Sequence, residues 1–170
     1  KIYRDVKVPI GFDYSGTSIS STRSLPDEIN DDFVLIEVNS WKKGISEKSI
    51  ENIKKCNEKG VPCGILLNSD ATSEKEATAD AACILALTEN DKIECPIYYN
   101  IDGIVGKVPD EKLIEICTAF YEMCRGASVG IGAKEDTLDK IKENLPNELK
   151  LMAISDGKEI NNSEDYSICY

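Results

Sequence analysis

The chain has 170 residues, of which 41% are hydrophobic, so it can bury one core of ordinary size and its length favours a single domain spanning 1–170. Its 31 acidic and 20 basic residues give a formal net charge of -11, which argues against nucleic acid or an anionic membrane surface as a partner. An acidic surface that only serves solubility is the alternative interpretation. No apolar run approaches the roughly 20 residues of a membrane helix, so no membrane insertion is expected. No signal peptide is visible, and because the chain begins at Lys1 rather than Met, a trimmed secretion signal stays open.

Predicted strands and helices alternate along the chain, which indicates a parallel sheet. The predicted strands are 10–15, 33–39, 64–69, 96–101, 128–133, 149–155 and a short one near 167–170. The predicted helices are 47–59, 74–90, 110–124 and 135–145. Residues 16–31 are a polar stretch with at most a short helical turn near Pro26, and no helix is expected after Ile154. A barrel whose last strands lack helices fits this order, and an open, doubly wound sheet fits it as well.

Local residues mark the ends of several predicted elements. Ser46 and Ser73 stand where helix N-caps are expected, and Gly60 follows a helix as a C-cap residue does. Gly130 and Gly132 give a loose G-x-G before the last helix, which is a weak phosphate-binding signal. Without a third glycine, close backbone packing is the preferred interpretation of this pair.

The cysteine and histidine content limits the chemistry that the protein can perform. The seven cysteines are Cys56, Cys63, Cys83, Cys95, Cys117, Cys124 and Cys169. No CxxC pair and no histidine occur, so neither a zinc site nor a Cys or Ser triad is expected, and no metal or cofactor is predicted. In an exported protein Cys56 with Cys63, or Cys83 with Cys95, would bridge a helix end to the next strand. The odd count leaves at least one thiol unpaired within the chain.

Several predicted strands end in an acid or an amide. These residues are Asp13, Glu37, Asn39, Asn68, Asn100 and Asp102. Alternate residues of a strand face opposite sides, so the apolar residues between them, such as Val34, Ile36 and Val38, form the other face. In a parallel barrel the apolar set packs under the helices and the polar set points at the axis, where function is placed on the carboxyl side of the strands. The sequence therefore predicts one shared polar mouth that contains carboxylates.

Three stretches of the chain share their pattern with a known family. They read G-F-D-Y-S at 11–15, F-V-L-I-E-V-N at 33–39 and N-I-D at 100–102. They resemble the opening strand, the second strand and the D-x-E motif of glycoside hydrolase family 25, the lysozyme-like muramidases. K-K-C-N-E-K-G-V-P-C-G-I-L-L also resembles the family's first helix and third strand, and the final D-Y-S-I-C-Y lies where the family has W-Q-Y. The resemblance implies an α/β fold, an irregular TIM-like barrel with about five βα units followed by strands without helices.

The resemblance also implies candidate catalytic residues. Asp13 matches the acid of the family's first strand, and Asp102 stands where the family has the glutamic acid that protonates the leaving oxygen. An aspartate is one methylene shorter than a glutamate, and a misplacement of about an ångström costs about 100-fold in rate. Asn100 replaces the preceding aspartate of the motif and cannot ionise. These departures imply an impaired active site.

The ligand-binding candidates are the remaining polar residues of the predicted mouth and one aromatic residue beside it. They are Glu37, Asn39, Trp41, Asn68 and Asn100. Trp41, the only tryptophan, follows the second predicted strand and is the best candidate for a platform under a sugar ring, with edge packing as the alternative. In the alternative interpretation none of these polar residues binds a ligand. The three asparagines then only occupy space in the polar interior, and Glu37 forms an ion pair with Lys42, Lys43 or Lys107.

The resemblance implies two alternative functions, and a different fold without this resemblance is a third possibility. The first is a catalytically impaired module with an extracellular or cell-surface role in recognition, with cell-wall or surface glycan as the partner. The second is an active muramidase that hydrolyses the glycan strands of peptidoglycan with Asp102 as its general acid. The third is an unrelated open α/β sheet of the flavodoxin kind. The sequence predicts no oligomeric state.

Overall fold

The strands of the protein are neighbours in sequence order and close into a barrel. The computed structural model describes residues 3–7, 15–155, 160–161, 165–166 and 168–169. The strands are β1 (Tyr3–Lys7), β2 (Ser15–Ile19), β3 (Phe33–Asn39), β4 (Cys63–Asn68), β5 (Ile97–Asn100), β6 (Val129–Ala133), β7 (Lys150–Ala153) and β8 (Ile168–Cys169). The helices are α1 (Glu47–Lys59), α2 (Glu74–Thr88), α3 (Asp110–Met123) and α4 (Glu135–Ile141). Because the strand order never reverses, the open, doubly wound sheet is excluded.

The barrel is only roughly TIM-like, because one strand runs against the others. Strands β2 to β7 form a curved parallel sheet, and the short β8 continues it. Strand β1 is antiparallel to β2 on one side and to β8 on the other, and it completes the ring. A parallel TIM barrel has no such strand. The sequence pattern did not predict β1.

The second strand lies further along the chain than the sequence predicts. Of the predicted strand 10–15, Ser15 is the first residue of β2, and residues 10–14 lie outside the described part of the chain. Strand β2 continues to Ile19, so the prediction that residues 16–31 lack a strand is wrong for its first four residues. The strand was missed because small residues occupy it. Gly16 is one of them, and it leaves room for the ring of Phe33, whose Cζ lies 2.1 Å from where a Cβ on Gly16 would stand. A strand with so few large apolar residues gives a weak period-two pattern.

Four βα units are present in the described part of the chain, one fewer than the resemblance implies. The missing helix would follow β2, where residues 20–32 form turns and irregular backbone instead. Asn52 of α1 holds this segment, because its Oδ1 accepts the Leu25 N–H at 2.9 Å and its Nδ2 donates to the Arg23 carbonyl at 2.8 Å. Leu25 is buried there. This segment therefore covers the barrel wall in place of a helix.

The predicted helix caps at Ser46, Ser73 and Gly60 are confirmed. The Ser46 side chain accepts the Ser49 N–H at 3.1 Å, and the Ser73 side chain accepts the Glu76 N–H at 3.3 Å. Gly60 has a φ of 69°, which favours glycine and ends α1. The caps set where each helix starts relative to the strand before it, and thereby fix the loops above the barrel.

Buried apolar side chains occupy two separate regions, one on each side of the sheet. The larger cluster lies between the strands and the helices and contains Val34, Ile36 and Val38, as the alternation predicts. The smaller cluster fills the barrel interior and comprises Leu35, Leu66, Tyr98, Met152 and Ile154, with Phe33 packed against it. The interior is therefore a packed core rather than a pore, and a ligand has to bind at its open end.

The two glycines of β6 belong to this interior packing, which confirms the backbone-packing interpretation. A Cβ on Gly130 would lie 2.5 Å from the ring of Tyr98, and a Cβ on Gly132 would lie 2.3 Å from the Cε of Met152. Both positions are free of large side chains because their neighbours fill the space. The G-x-G pattern thus makes room for two large interior residues.

Candidate functional site

Three asparagines stand side by side at the carboxyl ends of adjacent strands. In the register of the sheet Asn39 of β3 pairs with Asn68 of β4, and Asn68 pairs with Asn100 of β5. Each is two residues along its strand from an interior position, so all three face the barrel interior. On β6 the row continues with Gly132. The predicted polar mouth is therefore present in the described part of the chain, and amides rather than carboxylates form its main row.

Hydrogen bonds fix the orientation of the amides. The Nδ2 of Asn100 donates to the Oδ1 of Asn68 at 2.9 Å. The Oδ1 of Asn100 accepts the backbone N–H of Asp102 at 3.0 Å. Asn100 thus holds the start of the short 3₁₀ turn at Asp102–Ile104 and sets the position of Asp102 above the strand.

Asp102 is a half-buried carboxylate at the rim of the mouth. Its Oδ2 lies 3.9 Å from the Nζ of Lys134, the residue that follows β6. Lys134 was not predicted as a site residue, because only the parallel pairing of β5 with β6 brings it close to Asp102. An acid and a base therefore stand at the same end of the barrel, next to the amide row.

Glu37 faces the same interior as Asn39 but lies one layer deeper, level with Leu66 in the sheet register. Of the three lysines predicted as its partners, Lys42 pairs with Glu76 and Lys43 pairs with Asp70. Asp13, the other predicted catalytic residue, lies outside the described residues. The roles of all these residues stay predictions.

The other half of the mouth is apolar. Met152 of β7 is level with Gly132, and Ile154 follows at the end of the same strand. Two exposed apolar residues follow the ends of β3 and β5: Trp41 is 42% exposed and Val105 is 38% exposed. The mouth therefore joins a polar side, built by β3 to β5, to an apolar side.

A buried hydrogen-bond network between the sheet and α2 was missed at the sequence level. Asp80 of α2 is 0% exposed, and its carboxylate accepts the Tyr99 O–H at 2.6 Å and the Trp41 N–H at 2.8 Å. The Ser69 hydroxyl in turn donates to the Tyr99 oxygen at 2.8 Å. Burial raises the pKa of Asp80, and the Tyr99 and Trp41 donors oppose that rise. A signal was present, since Asp80 lies on the same helical stripe as the buried residues Ala77, Ala81 and Ile84.

Free thiols are present at the six cysteines whose side chains the structure describes, namely Cys56, Cys63, Cys83, Cys95, Cys117 and Cys124. Cys63 begins β4, at the end of the strand opposite the amide row, and the nearby Cys56 lies in the last turns of α1. Burial raises the pKa of Cys117 to about 12 and that of Cys124 to about 12. Cys117 is buried in the cluster between the sheet and the helices, where a thiol packs as a small hydrophobic side chain.

The described part of the chain lacks two features, a cluster of metal-binding side chains and a membrane-spanning helix. No cluster of three or more His, Cys, Asp or Glu side chains there is suited to hold a metal ion. Within the same part, none of the helices combines the length and the apolar character needed to cross a bilayer.

Solved structures resemble this fold, although no family model and no curated protein matches the sequence. The modular autolysin LytC from Streptococcus pneumoniae, solved in complex with a synthetic peptidoglycan ligand, has a TM-score of 0.71 and 22% identity over 95% of this chain. The catalytic domain of endolysin ply40 from bacteriophage P40 of Listeria monocytogenes has a TM-score of 0.67 and 13% identity, covering 86% of this chain and 77% of that domain. The CTP1L endolysin has a TM-score of 0.56 and 10% identity over 76% of this chain.

These similarities concern the fold. The chain spans 41% of the length of the LytC chain, so it corresponds to one part of that modular protein. At 22% identity and below, the likeness extends to the arrangement of strands and helices and leaves the chemistry of the mouth to be argued from its own residues.

Proposed function

We propose that this protein is a divergent lysozyme-like domain of the family 25 type that binds cell-wall glycan at the mouth of its barrel, outside the cell or at the cell surface, with impaired hydrolysis. The observation that carries the proposal is the row of Asn39, Asn68 and Asn100 at the carboxyl ends of adjacent strands, together with the exposed Trp41 two residues after β3. Solved structures of a peptidoglycan-bound autolysin and of endolysins with this fold support the choice of ligand.

The two halves of the mouth match the two faces of an amino sugar. Hydroxyl and acetamido groups both donate and accept hydrogen bonds, and a side-chain amide offers two donors and an acceptor. The C–H face of a sugar ring is apolar and is complementary to an exposed aromatic surface such as Trp41. A few polar groups that set orientation beside an apolar wall are the usual composition of a small-ligand site.

Impaired hydrolysis follows from the chemistry of the same residues. Glycoside hydrolysis requires two carboxyl groups, one protonated to donate to the leaving oxygen and one ionised. Asn100 stands where the family pattern has an aspartate, and both ends of its amide are committed to Asn68 and to the Asp102 backbone. Asp102 itself has an ammonium group as its ion-pair partner, with 3.9 Å between its Oδ2 and the Nζ of Lys134.

Binding is tested by sedimenting the protein with insoluble peptidoglycan, while release of reducing ends is measured in the same tubes. We expect the wild-type protein to be retained without release of reducing ends, and Trp41→Ala to weaken retention by about 10-fold or more, as the loss of a central aromatic contact does. Met123→Ala is the matched control, because Met123 is also 42% exposed but lies at the end of α3, at the far side of the barrel. Equal retention of the wild type and Trp41→Ala would contradict the proposal.

An active muramidase is the second candidate, and the presence of two carboxylates in the described mouth favours it. Glu37 on β3 and Asp102 after β5 flank β4, about two strand spacings or roughly 10 Å apart across the sheet. Inverting glycosidases hold their carboxyl groups about 6.5–9.5 Å apart. Loss of turbidity of a bacterial wall suspension, abolished by Asp102→Asn and by Asp13→Asn, would establish this activity in place of binding alone.

A further inference from the structure

The turn that carries Trp41 is tightly closed. The backbone carbonyl of Ser40 accepts the N–H of Lys43 at 3.0 Å, and the backbone carbonyl of Trp41 accepts the N–H of Gly44 at 3.2 Å. Gly44 has a φ of 74°, a conformation that favours glycine and directs the chain toward α1. Trp41 is therefore the second residue of a four-residue turn, with its backbone N–H directed inward and its side chain 42% exposed.

Every residue of this turn is fixed to the β4–α2 unit. The Ser40 hydroxyl donates to Asp70 at 3.2 Å, and Lys43 pairs with the same carboxylate at 3.3 Å. Lys42 pairs with Glu76, and the backbone N–H of Trp41 donates to Asp80. The two lysine contacts are ion pairs between partly exposed side chains, which are weak, and the Ser40 contact is a hydrogen bond to the same exposed carboxylate of Asp70. The contact to Asp80 is a buried, charge-assisted hydrogen bond and is the strongest of the four.

Asp80 also acts on the strand that carries the amide row. Its second oxygen accepts the Tyr99 O–H at 2.6 Å, and the Tyr99 oxygen accepts from Ser69, the residue that directly follows Asn68. The ring of Tyr99 stacks on Phe120 of α3 with centroids 3.9 Å apart, so it is held by packing as well. One buried carboxylate thus connects the backbone of Trp41 to the end of β4.

We propose that Asp80 is a positioning residue of the mouth: its two carboxylate oxygens hold the Trp41 turn and, through Tyr99 and Ser69, the Asn68 end of β4 in a fixed relation. The proposal rests on the proposed glycan site for its consequence, because a sugar needs the indole ring and the amide row at one set distance. A carboxylate suits the task since both of its partners are donors. An amide has a single acceptor oxygen and satisfies only one of them without rearrangement.

The intrinsic fluorescence of the protein reports on this turn directly, because Trp41 is its only tryptophan. We would compare acrylamide quenching and anisotropy of the wild type, Asp80→Asn and Asp80→Leu, after checking by circular dichroism that each variant is folded. Asp80→Asn keeps one acceptor and Asp80→Leu keeps none, so quenching is expected to rise in that order. Asp70→Asn is the matched control, since it weakens the exposed anchors of the same turn and leaves the Trp41 N–H contact in place.

Peptidoglycan retention is measured on the same proteins. If Trp41 is mobile in Asp80→Asn, binding has to immobilise this side chain. Immobilising one large side chain weakens affinity by about 2- to 12-fold, which is the loss of peptidoglycan affinity expected for Asp80→Asn. If the wild type fails to bind glycan but the quenching order holds, the proposed function falls and the positioning role stands. Quenching and anisotropy of folded Asp80→Leu equal to those of the wild type would overturn the positioning role.

A second variant covers the case in which Asp80→Leu does not fold. Tyr99→Phe keeps the ring stacked on Phe120 and removes only the hydroxyl that joins Asp80 to Ser69. We expect quenching of Trp41 to increase in this variant, although no atom of Tyr99 is hydrogen-bonded to Trp41 itself. An unchanged Trp41 signal in folded Tyr99→Phe would refute the proposed coupling between the turn and β4.

Discussion

Replacing each glycine of β6 by alanine tests whether the barrel interior is packed as described. A Cβ on Gly130 would lie 2.5 Å and 2.6 Å from two ring atoms of Tyr98 and 3.1 Å from the carbonyl of Lys150. Carbon atoms prefer to be about 3.5–4.0 Å apart, so the ring has to move by about 1 Å. Tyr98 is a rigid ring and only 2% exposed, so it has no free space to move into. Overpacking of this kind costs about 2–3 kcal/mol.

The same substitution at Gly132 meets a softer neighbour. Its new Cβ would lie 2.3 Å from the Cε of Met152, which is the far end of a flexible side chain and can rotate away. A glycine-to-alanine change also stabilises by about 0.4–1 kcal/mol through the unfolded state. We therefore expect Gly130→Ala to destabilise by about 2 kcal/mol and Gly132→Ala by about 1 kcal/mol or less.

Urea denaturation measures both variants against the wild type, provided that the slope of the transition is unchanged. A loss of about 2 kcal/mol corresponds to a fall in Tm of roughly 4–8 °C for a domain of this size. Gly132 thereby serves as the matched control for Gly130, because both glycines lie on the same strand and face the same interior. Equal costs at the two positions, or a larger cost at Gly132, would refute the packing described for the barrel interior.

Two further predictions concern titrating groups. Burial raises the pKa of Asp80 above its unfolded value, so protonation of this group is more favourable in the folded than in the unfolded protein, and this contribution to stability is present at low pH and is lost as the pH rises through the folded pKa. The free energy of unfolding of the wild type minus that of Asp80→Asn should therefore fall as the pH rises above about 4, the ordinary pKa of an aspartate, in urea titrations, and a rise would contradict the assignment. Burial also raises the pKa of the Cys95 thiol to about 11 and that of Cys117 to about 12. Alkylation of half-exposed Cys95, followed by peptide mass analysis, should speed up about 10-fold per pH unit between pH 8 and pH 10, whereas Cys117 should react only on unfolding, and labelling of Cys117 in the native protein would show that its burial is wrong.

Much of the site could be predicted because it depends on period two and on parallel pairing. The alternation in F-V-L-I-E-V-N assigns Glu37 and Asn39 to one face, and the structure places Asn39, Asn68 and Asn100 in one row of the sheet. The helix starts could be predicted as well, since Ser46 and Ser73 satisfy N–H groups within their own helices. These features are local or repeat along a single strand, so a sequence states them directly.

Other features depend on which segments meet, and the sequence did not reveal them. Strand β2 carries few large apolar residues and depends on Phe33 from the next strand to cover Gly16. The segment after β2 has no helix, because Asn52 of α1 satisfies its backbone from a distance. Lys134 reaches Asp102 only because β5 and β6 are neighbours.

By itself the sequence determined the alternation of strands and helices, the polar face at the strand ends and the caps, because each follows from the chemistry of residues a few positions apart. Only the tertiary structure decided that the ring closes through an antiparallel β1, that the mouth has an apolar half, and that Asp80 joins Trp41 to Tyr99. Asp80 is 39 residues from Trp41 and 19 from Tyr99 along the chain. Contacts across such separations are set by how packed elements meet, and no local pattern encodes them.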